Sequence, residues 1–236
     1  AKHGNRSVSS KSGSADLLEQ AGACLNLDPE QVAGVIRSAG VGFMFAPMHH
    51  SAMKYAITPR KEMAVRTIFN VLGPLTNPAQ VKRQVVGVFA RNLTETLARV
   101  FAQLGSEHTL VVHSDDGMDE ISICAPTTIS EMRSGKVTTY QVCPEDFGLS
   151  TADIDDIVVA DPAASLTLVE AVLGGLPGAA RDIVLLNAGA GIYVSGLAPS
   201  LPGGIEMAAQ AIDSGKALQA KNAYIKATTL AIDQAG

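Results

Sequence analysis

Gln84-Val85-Val86-Gly87-Val88-Phe89, then Asn92-Leu93-Thr94-Glu95, then His108-Thr109-Leu110-Val111-Val112-His113, is the stretch whose reading decides the fold. Its first and last runs are short, apolar and rich in β-branched residues, as buried strands are. Between them, Asn92 and Glu95 stand at capping-box spacing and open a helix expected to end near Gly105. Strand, helix and strand in that order imply parallel pairing, with ligands gathered beyond the carboxyl ends of the strands.

Working outward, residues 14–21 read as a helix stopped by Gly22. Asp28-Pro29-Glu30 supplies a cap and a first-turn proline for a second helix, which Gly40 closes. The apolar run 41–46 reads as a buried strand. Downstream, 121–124 and 136–142 read as antiparallel strands flanking the sheet, and 144–149 as a linker. The remainder reads as helices over 163–173, 179–197, 204–213 and 216–231. Asn187-Ala188-Gly189-Ala190-Gly191-Ile192 has the glycines of a nucleotide loop, but they follow an apolar run without a turn, so a close-packed helix is expected. The fold expected is α/β, a central and largely parallel sheet flanked by helices.

Composition agrees. Apolar residues make up 47% of the 236, aromatics only 4%, and there is no Trp, a balance that suits helices on a buried sheet. A net charge of −5 disfavours nonspecific nucleic-acid binding by the whole surface. Cys24, Cys124 and Cys143 are widely spaced and form no CxxC, as reduced thiols of a cytoplasmic protein do. The opening is polar and carries no signal-peptide pattern. The uncharged run between Asp182 and Glu206 is interrupted by Asn187, Pro199 and Pro202, so a buried helix and a turn are expected and not a membrane span.

Two stretches carry chemistry. Lys2-His3-Gly4-Asn5-Arg6-Ser7-Val8-Ser9-Ser10-Lys11-Ser12-Gly13-Ser14-Ala15-Asp16 gathers cations, hydroxyls and glycines with almost no apolar content. Composition leaves two readings open: a solvated arm, or an anion-binding loop running into a helix N-terminus at Ser14. Asp115-Asp116-Gly117-Met118-Asp119-Glu120 places four carboxylates in six residues. Two like charges 4 Å apart repel by roughly 4 kcal/mol at an effective dielectric of about 20, so this stretch is either a solvated turn or a seat for a divalent cation. Its spacing excludes an EF-hand. His49 and His50 are adjacent, project to different sides of a helix and have no further ligand at zinc spacing.

Lys-His-Gly-Asn-Arg followed by Ser-Ser-Lys-Ser-Gly-Ser-Ala-Asp resembles the ribose-phosphate loop of anthranilate phosphoribosyltransferases. Three further stretches resemble the same family: His50-x-x-Met53, the run from Arg60 to Gly73-Pro74-Leu75-Thr76-Asn77-Pro78, and Asp116-Gly117-Met118-Asp119-Glu120-Ile121-Ser122. Asp213-Ser-Gly-Lys-Ala-Leu218 matches the family's closing stretch. The resemblance implies a fold of the nucleoside phosphorylase/phosphoribosyltransferase type. Residues 1–49 and 81–236 would form the phosphoribosyl-binding domain, and 50–80 a helical excursion belonging to a small helical domain. It implies a glycosyltransferase of tryptophan biosynthesis, cytoplasmic and homodimeric when whole, that moves a phosphoribosyl group from phosphoribosyl pyrophosphate to the amine of anthranilate.

By motif position, Lys2, His3, Gly4, Asn5, Arg6, Ser7, Val8, Ser9, Ser10 and Ser14 would contact phosphoribosyl pyrophosphate. Asn5, His50, Arg60, Gly73 and Pro74 would face anthranilate, and Asp119 and Glu120 would hold Mg²⁺. The sequence opens in mid-motif at Ala1 and contains no Gly-Thr-Gly-Gly-Asp loop, which in the family grips the pyrophosphate. It therefore reads as N-terminally truncated, and a silent fragment is one expectation. A nucleic-acid-binding paralogue of the same fold is the alternative, with pyrimidine nucleoside phosphorylases behind it because their loop differs from Lys-His-Gly-Asn-Arg. Ala64, and Gly189 with Gly191, stand where the family often has glycine and alanines respectively.

Overall fold

A computed structural model describes residues 1–6, 11–49 and 69–233. The expectations for Ser7, Val8, Ser9, Ser10, His50 and Arg60 lie outside the described residues. In chain order the elements are β1 (Lys2–Gly4), α1 (Ser14–Gln20), α2 (Pro29–Ala39), β2 (Phe43–Phe45), α3 (Ala46–His49) and α4 (Phe69–Leu75). Next come β3 (Arg83–Gly87), α5 (Asn92–Gln103), β4 (His108–Ser114), β5 (Thr127–Arg133) and β6 (Lys136–Val142). Short 3-10 turns over Pro144–Phe147 and Ile154–Asp156 lead into α6 (Pro162–Leu173), α7 (Ala179–Ser195), α8 (Leu201–Asp213) and α9 (Lys216–Asp233). The chain divides into two units, one of Ala1–Ala79, Val159–Leu173 and Gly215–Gly236, the other of Gln80–Val158 and Gly174–Ser214.

In the first unit β1 and β2 pair in parallel, Lys2 opposite Phe43 and Gly4 opposite Phe45. The bounds of α2 are those its sequence dictates. Asp28 accepts the Gln31 N–H, Gln31 Oε1 accepts the Asp28 N–H, each at 2.9 Å, and Gly40 ends the helix at φ +75°. Phe43, Met44 and Phe45 are buried among Ala15, Leu27, Val32, Val35 and Tyr224. Gly73, Pro74 and Leu75 complete α4. Pro74 lacks an N–H to bond back, but the helix ends one residue on, so only one rung is lost.

In the second unit β3 and β4 are parallel, Arg83 opposite His108 and Gly87 opposite Val112. β5 and β6 extend the sheet antiparallel, in the order β3-β4-β5-β6. The α/β class thus holds, with parallel pairs at β1–β2 and β3–β4 and antiparallel pairs beyond. α5 packs on β4, β5 and β6, and α7 on β3, β4 and α8. Val111 and Val112 lie side by side on opposite faces of β4 and are both fully buried, so the strand is covered on both sides.

Two readings are corrected here. The run 121–124 is not a strand: the Ile121 N–H goes to Asn187 Oδ1, the Ser122 N–H to Thr127 Oγ1 and the Cys124 N–H to Ser122 Oγ. With its donors spent on side chains it cannot join a ladder, and β5, six residues later, takes that place beside β4. Asn92 does not cap α5 either. Arg91 stands at the cap position in helical conformation, and the turn is closed by the Leu93 N–H on the Ala90 carbonyl.

Candidate functional site

In the first unit the polar run leaves β1 and turns at Asn5, whose Oδ1 accepts the Arg6 N–H at 2.8 Å. Gly4 packs tightly, since a Cβ there would stand 3.1 Å from the Phe43 ring, which would have to shift by a few tenths of an ångström. Arg6 forks onto Glu19 of α1 through Nε–Oε2 at 3.0 Å and Nη2–Oε1 at 2.5 Å, and lies 4.7 Å from the centre of the Phe45 ring. The hydrogen bond to Glu19, reinforced by its charge, raises the guanidinium pKa further. Lys2 Nζ donates to the His3 carbonyl at 3.3 Å. Ser14 opens α1 and is exposed, while Asp16 Oδ2 accepts the Gly13 N–H at 2.9 Å and brings a carboxylate to that helix end. Gly73 and Pro74 lie half-buried at the end of α4, in the same unit.

In the second unit the acidic stretch follows β4. A tight turn joins the Gly117 N–H to the Ser114 carbonyl at 2.9 Å and the Ser114 N–H to the Met118 carbonyl at 3.0 Å, with Gly117 at φ +92°. Asp115 and Asp116 shape this turn. Asp115 Oδ2 accepts from Gln141 at 3.1 Å, and Asp116 accepts the Met118 N–H at 3.0 Å and the Ser122 hydroxyl at 2.5 Å. Two of the four carboxylates are thus engaged locally, Asp115 by β6 and Asp116 by the turn itself. Asp119 and Glu120 are exposed.

Main-chain packing fixes where that pair stands. A Cβ on Gly87, the last residue of β3, would lie 1.6 Å from the Asp119 carbonyl oxygen, so the Asp119 backbone rests directly on the carboxyl end of a parallel strand. Immediately after Glu120, Ile121 is gripped by Asn187 of α7, which accepts its N–H at 2.9 Å and donates to its carbonyl at 2.8 Å. Neither Gly87 nor Asn187 was singled out for this by the sequence. The available signals were a glycine inside a strand and an amide inside an apolar helix.

The donor set suits magnesium. Asp119 and Glu120 offer hard oxygens, and among the described residues no three His, Cys, Asp or Glu side chains gather into a cage. An ion that keeps its waters and shares phosphate oxygens, as Mg²⁺ does, fits such a pair. Cys24, Cys124 and Cys143 are free thiols. Among the described residues no helix is long and apolar enough to cross a membrane.

A second polar cluster sits at the other end of β4, about 20 Å from Ser114 at ~3.3 Å per residue. Glu131 receives Tyr193 Oη at 2.7 Å, Tyr140 Oη at 2.9 Å and lies 2.8 Å from His108 Nε2. Burial alone would push its carboxyl up, but hydrogen bonds from Tyr193, Tyr140 and His108 outweigh that and hold it below the ordinary value. Burial and then the Glu131 charge raise the Tyr140 phenol. The cluster is closed on itself and braces the sheet.

Residues 1–218 match the glycosyl transferase family, a/b domain. The chain belongs to that family. Within it, the chain is 61% identical over 219 residues to the anthranilate phosphoribosyltransferase of Thioalkalivibrio sulfidiphilus, a match covering 93% of this chain and 65% of that protein. The crystal structure of anthranilate phosphoribosyltransferase from Thermus thermophilus superposes with a TM-score of 0.89 at 38% identity, over 97% of this chain and 68% of the other. The enzyme from Saccharomyces cerevisiae, in complex with PRPP and Mg, superposes with a TM-score of 0.88 at 27% identity, over 97% and 64%. The chain therefore spans about two thirds of the length of these relatives.

Proposed function

We propose that the whole protein transfers the phosphoribosyl group of phosphoribosyl pyrophosphate to the amine of anthranilate, giving N-(5-phosphoribosyl)anthranilate and pyrophosphate in tryptophan biosynthesis. The observation that carries this is the pair Asp119–Glu120 at the carboxyl end of β3, in a chain so similar to enzymes of that name. The reaction needs no protein nucleophile. Bond breaking to pyrophosphate leaves an oxocarbenium-like ribose, so the protein must bind the leaving charge and hold the amine in line.

Carried over by motif position, Lys2, His3, Gly4, Asn5, Arg6, Ser7, Val8, Ser9, Ser10 and Ser14 bind the phosphoribosyl donor through ammonium, hydroxyl and main-chain N–H groups. Asn5, His50, Gly73 and Pro74 border anthranilate, and Arg60 forks onto its carboxylate, a role that suits a planar bidentate donor. Asp119 and Glu120 hold Mg²⁺, which when bound neutralises charge on the departing pyrophosphate. Residues 50–80 form part of a helical domain in this reading, the whole enzyme is a homodimer and it works in the cytoplasm. The test is calorimetric titration of phosphoribosyl pyrophosphate into the chain with and without Mg²⁺, repeated with Asp119→Ala/Glu120→Ala. Magnesium-dependent binding weakened at least about tenfold in the double variant is expected. The same titration is run on the whole protein: no binding to either, or binding indifferent to both changes, overturns the proposal, whereas binding by the whole protein alone makes this chain a silent fragment of the enzyme.

A further inference from the structure

We infer that Asn187 is a positioning residue for the acidic pair, setting the orientation of Glu120 through the peptide group that joins it to Ile121. This rests on the reading of Asp119–Glu120 as a magnesium site. Asn187 lies half-buried in the middle of α7. Its carboxamide is used on both sides. Oδ1 accepts the Ile121 N–H at 2.9 Å, and Nδ2 donates to the Ile121 carbonyl at 2.8 Å and to the Ile183 carbonyl of its own helix at 3.0 Å. The bond to Ile183 fixes the side chain to the α7 backbone, so the grip on Ile121 is a rigid one.

The peptide N–H that Asn187 holds is the one following Glu120. Two residues upstream of Ile121, the Asp119 carbonyl is stopped against Gly87. Between these anchors the main chain has only the torsions around Glu120 to adjust, and Ile121 itself is 1% exposed, sunk in the core. The clamp therefore converts an exposed, irregular segment into one with a defined direction for its carboxylates. Groups that orient metal ligands without touching the ion commonly change metal affinity 10- to 100-fold when lost. Leu at position 187 would keep the branched shape, at a somewhat larger volume, and lose all three bonds. Asp would keep the acceptor for the Ile121 N–H and lose the donor to the carbonyl.

The experiment measures the Mg²⁺ concentration that gives half-maximal binding of phosphoribosyl pyrophosphate to the whole protein, for wild type, Asn187→Leu and Asn187→Asp. Far-UV circular dichroism and thermal melting establish folding. The expected result is a rise of about tenfold in the half-saturating Mg²⁺ for Asn187→Leu and a smaller rise for Asn187→Asp. If Asn187→Leu fails to fold, Asn187→Asp decides alone, and a rise in its Mg²⁺ requirement supports the inference. An unchanged Mg²⁺ requirement in a folded variant overturns it and leaves the magnesium reading standing. Equal loss of binding at all Mg²⁺ concentrations also overturns it, since general damage would do that. Wild type that binds without regard to Mg²⁺, or not at all, overturns the magnesium reading and this inference with it.

Discussion

The carbonyl oxygen of Asp119 occupies the place a side chain on Gly87 would need, 1.6 Å from an ideal Cβ. No rotamer change relieves this, because the obstructing atoms are backbone. Gly87→Ala must push the 119–120 segment off the end of β3 or distort the strand. We expect a loss of about 1–3 kcal/mol in urea unfolding, the usual range for overpacking. Calorimetry should show weaker magnesium-dependent binding of phosphoribosyl pyrophosphate in the same variant. Unchanged stability would mean that the contact is softer than the geometry says.

Gly189 and Gly191 look alike in sequence and differ in kind. A Cβ on Gly189 would lie 2.6 Å from the backbone nitrogen of Ile205, and one on Gly204 would lie 2.2 Å from the Gly189 carbonyl, so α7 and α8 touch through their glycines. Gly191 is exposed and faces open space. Gly189→Ala should therefore cost about 1–3 kcal/mol. Gly191→Ala should stabilise by roughly 0.5–1 kcal/mol, the ordinary helix penalty of glycine removed. Paired thermal melts of the two variants check the contrast.

Periodicity and punctuation made the regular elements legible. Asp28-Pro29 and Gly40 bound α2, and the apolar runs at 84–89 and 108–113 mark the parallel pair. What escaped was decided by side-chain donors and acceptors far apart in the sequence. Ile121-Ser122-Ile123-Cys124 has the composition of a strand, but Asn187, 66 residues on, takes its first N–H. β5 was hidden because Ser130 and Glu131 sit in its middle, where they look like turn residues. Ser130 is satisfied by Thr94 at 2.9 Å, and Glu131 by two tyrosines and a histidine. The acidic pair was legible as a pair, whereas its seat on Gly87 was not, since no local pattern encodes what a distant backbone approaches.

Arg6 is shared between Glu19 and the Phe45 ring, which changes what its loss should do. Both ends of the ion pair are well exposed, so its contribution to folding is at most about 1 kcal/mol. Glu19→Gln should leave the melting temperature nearly unchanged while releasing Arg6 from a competing anion. If Arg6 meets the phosphoribosyl donor, calorimetry should show binding tightened several-fold in Glu19→Gln and weakened in Arg6→Ala. Equal affinities in all three proteins would confine Arg6 to bracing α1.

Glu131 gives the fold a dependence on acid. Its carboxyl is held below the ordinary value of 4.5 in the folded protein, so folding is favoured by its ionisation. That contribution is complete above 4.5 and disappears as pH falls through the lower folded value. Glu131→Gln keeps the shape and an acceptor for Tyr193 or Tyr140 but removes the charge. At pH 7 it should cost about 1.5–3 kcal/mol, the range for hydrogen bonds to a charged group. Urea unfolding of both proteins from about pH 7 down to about pH 3 should show the gap constant at first and closing below 4.5. A gap that stays constant to the acid end of that range would mean that the three donors hold a neutral Glu131 as well as an ionised one.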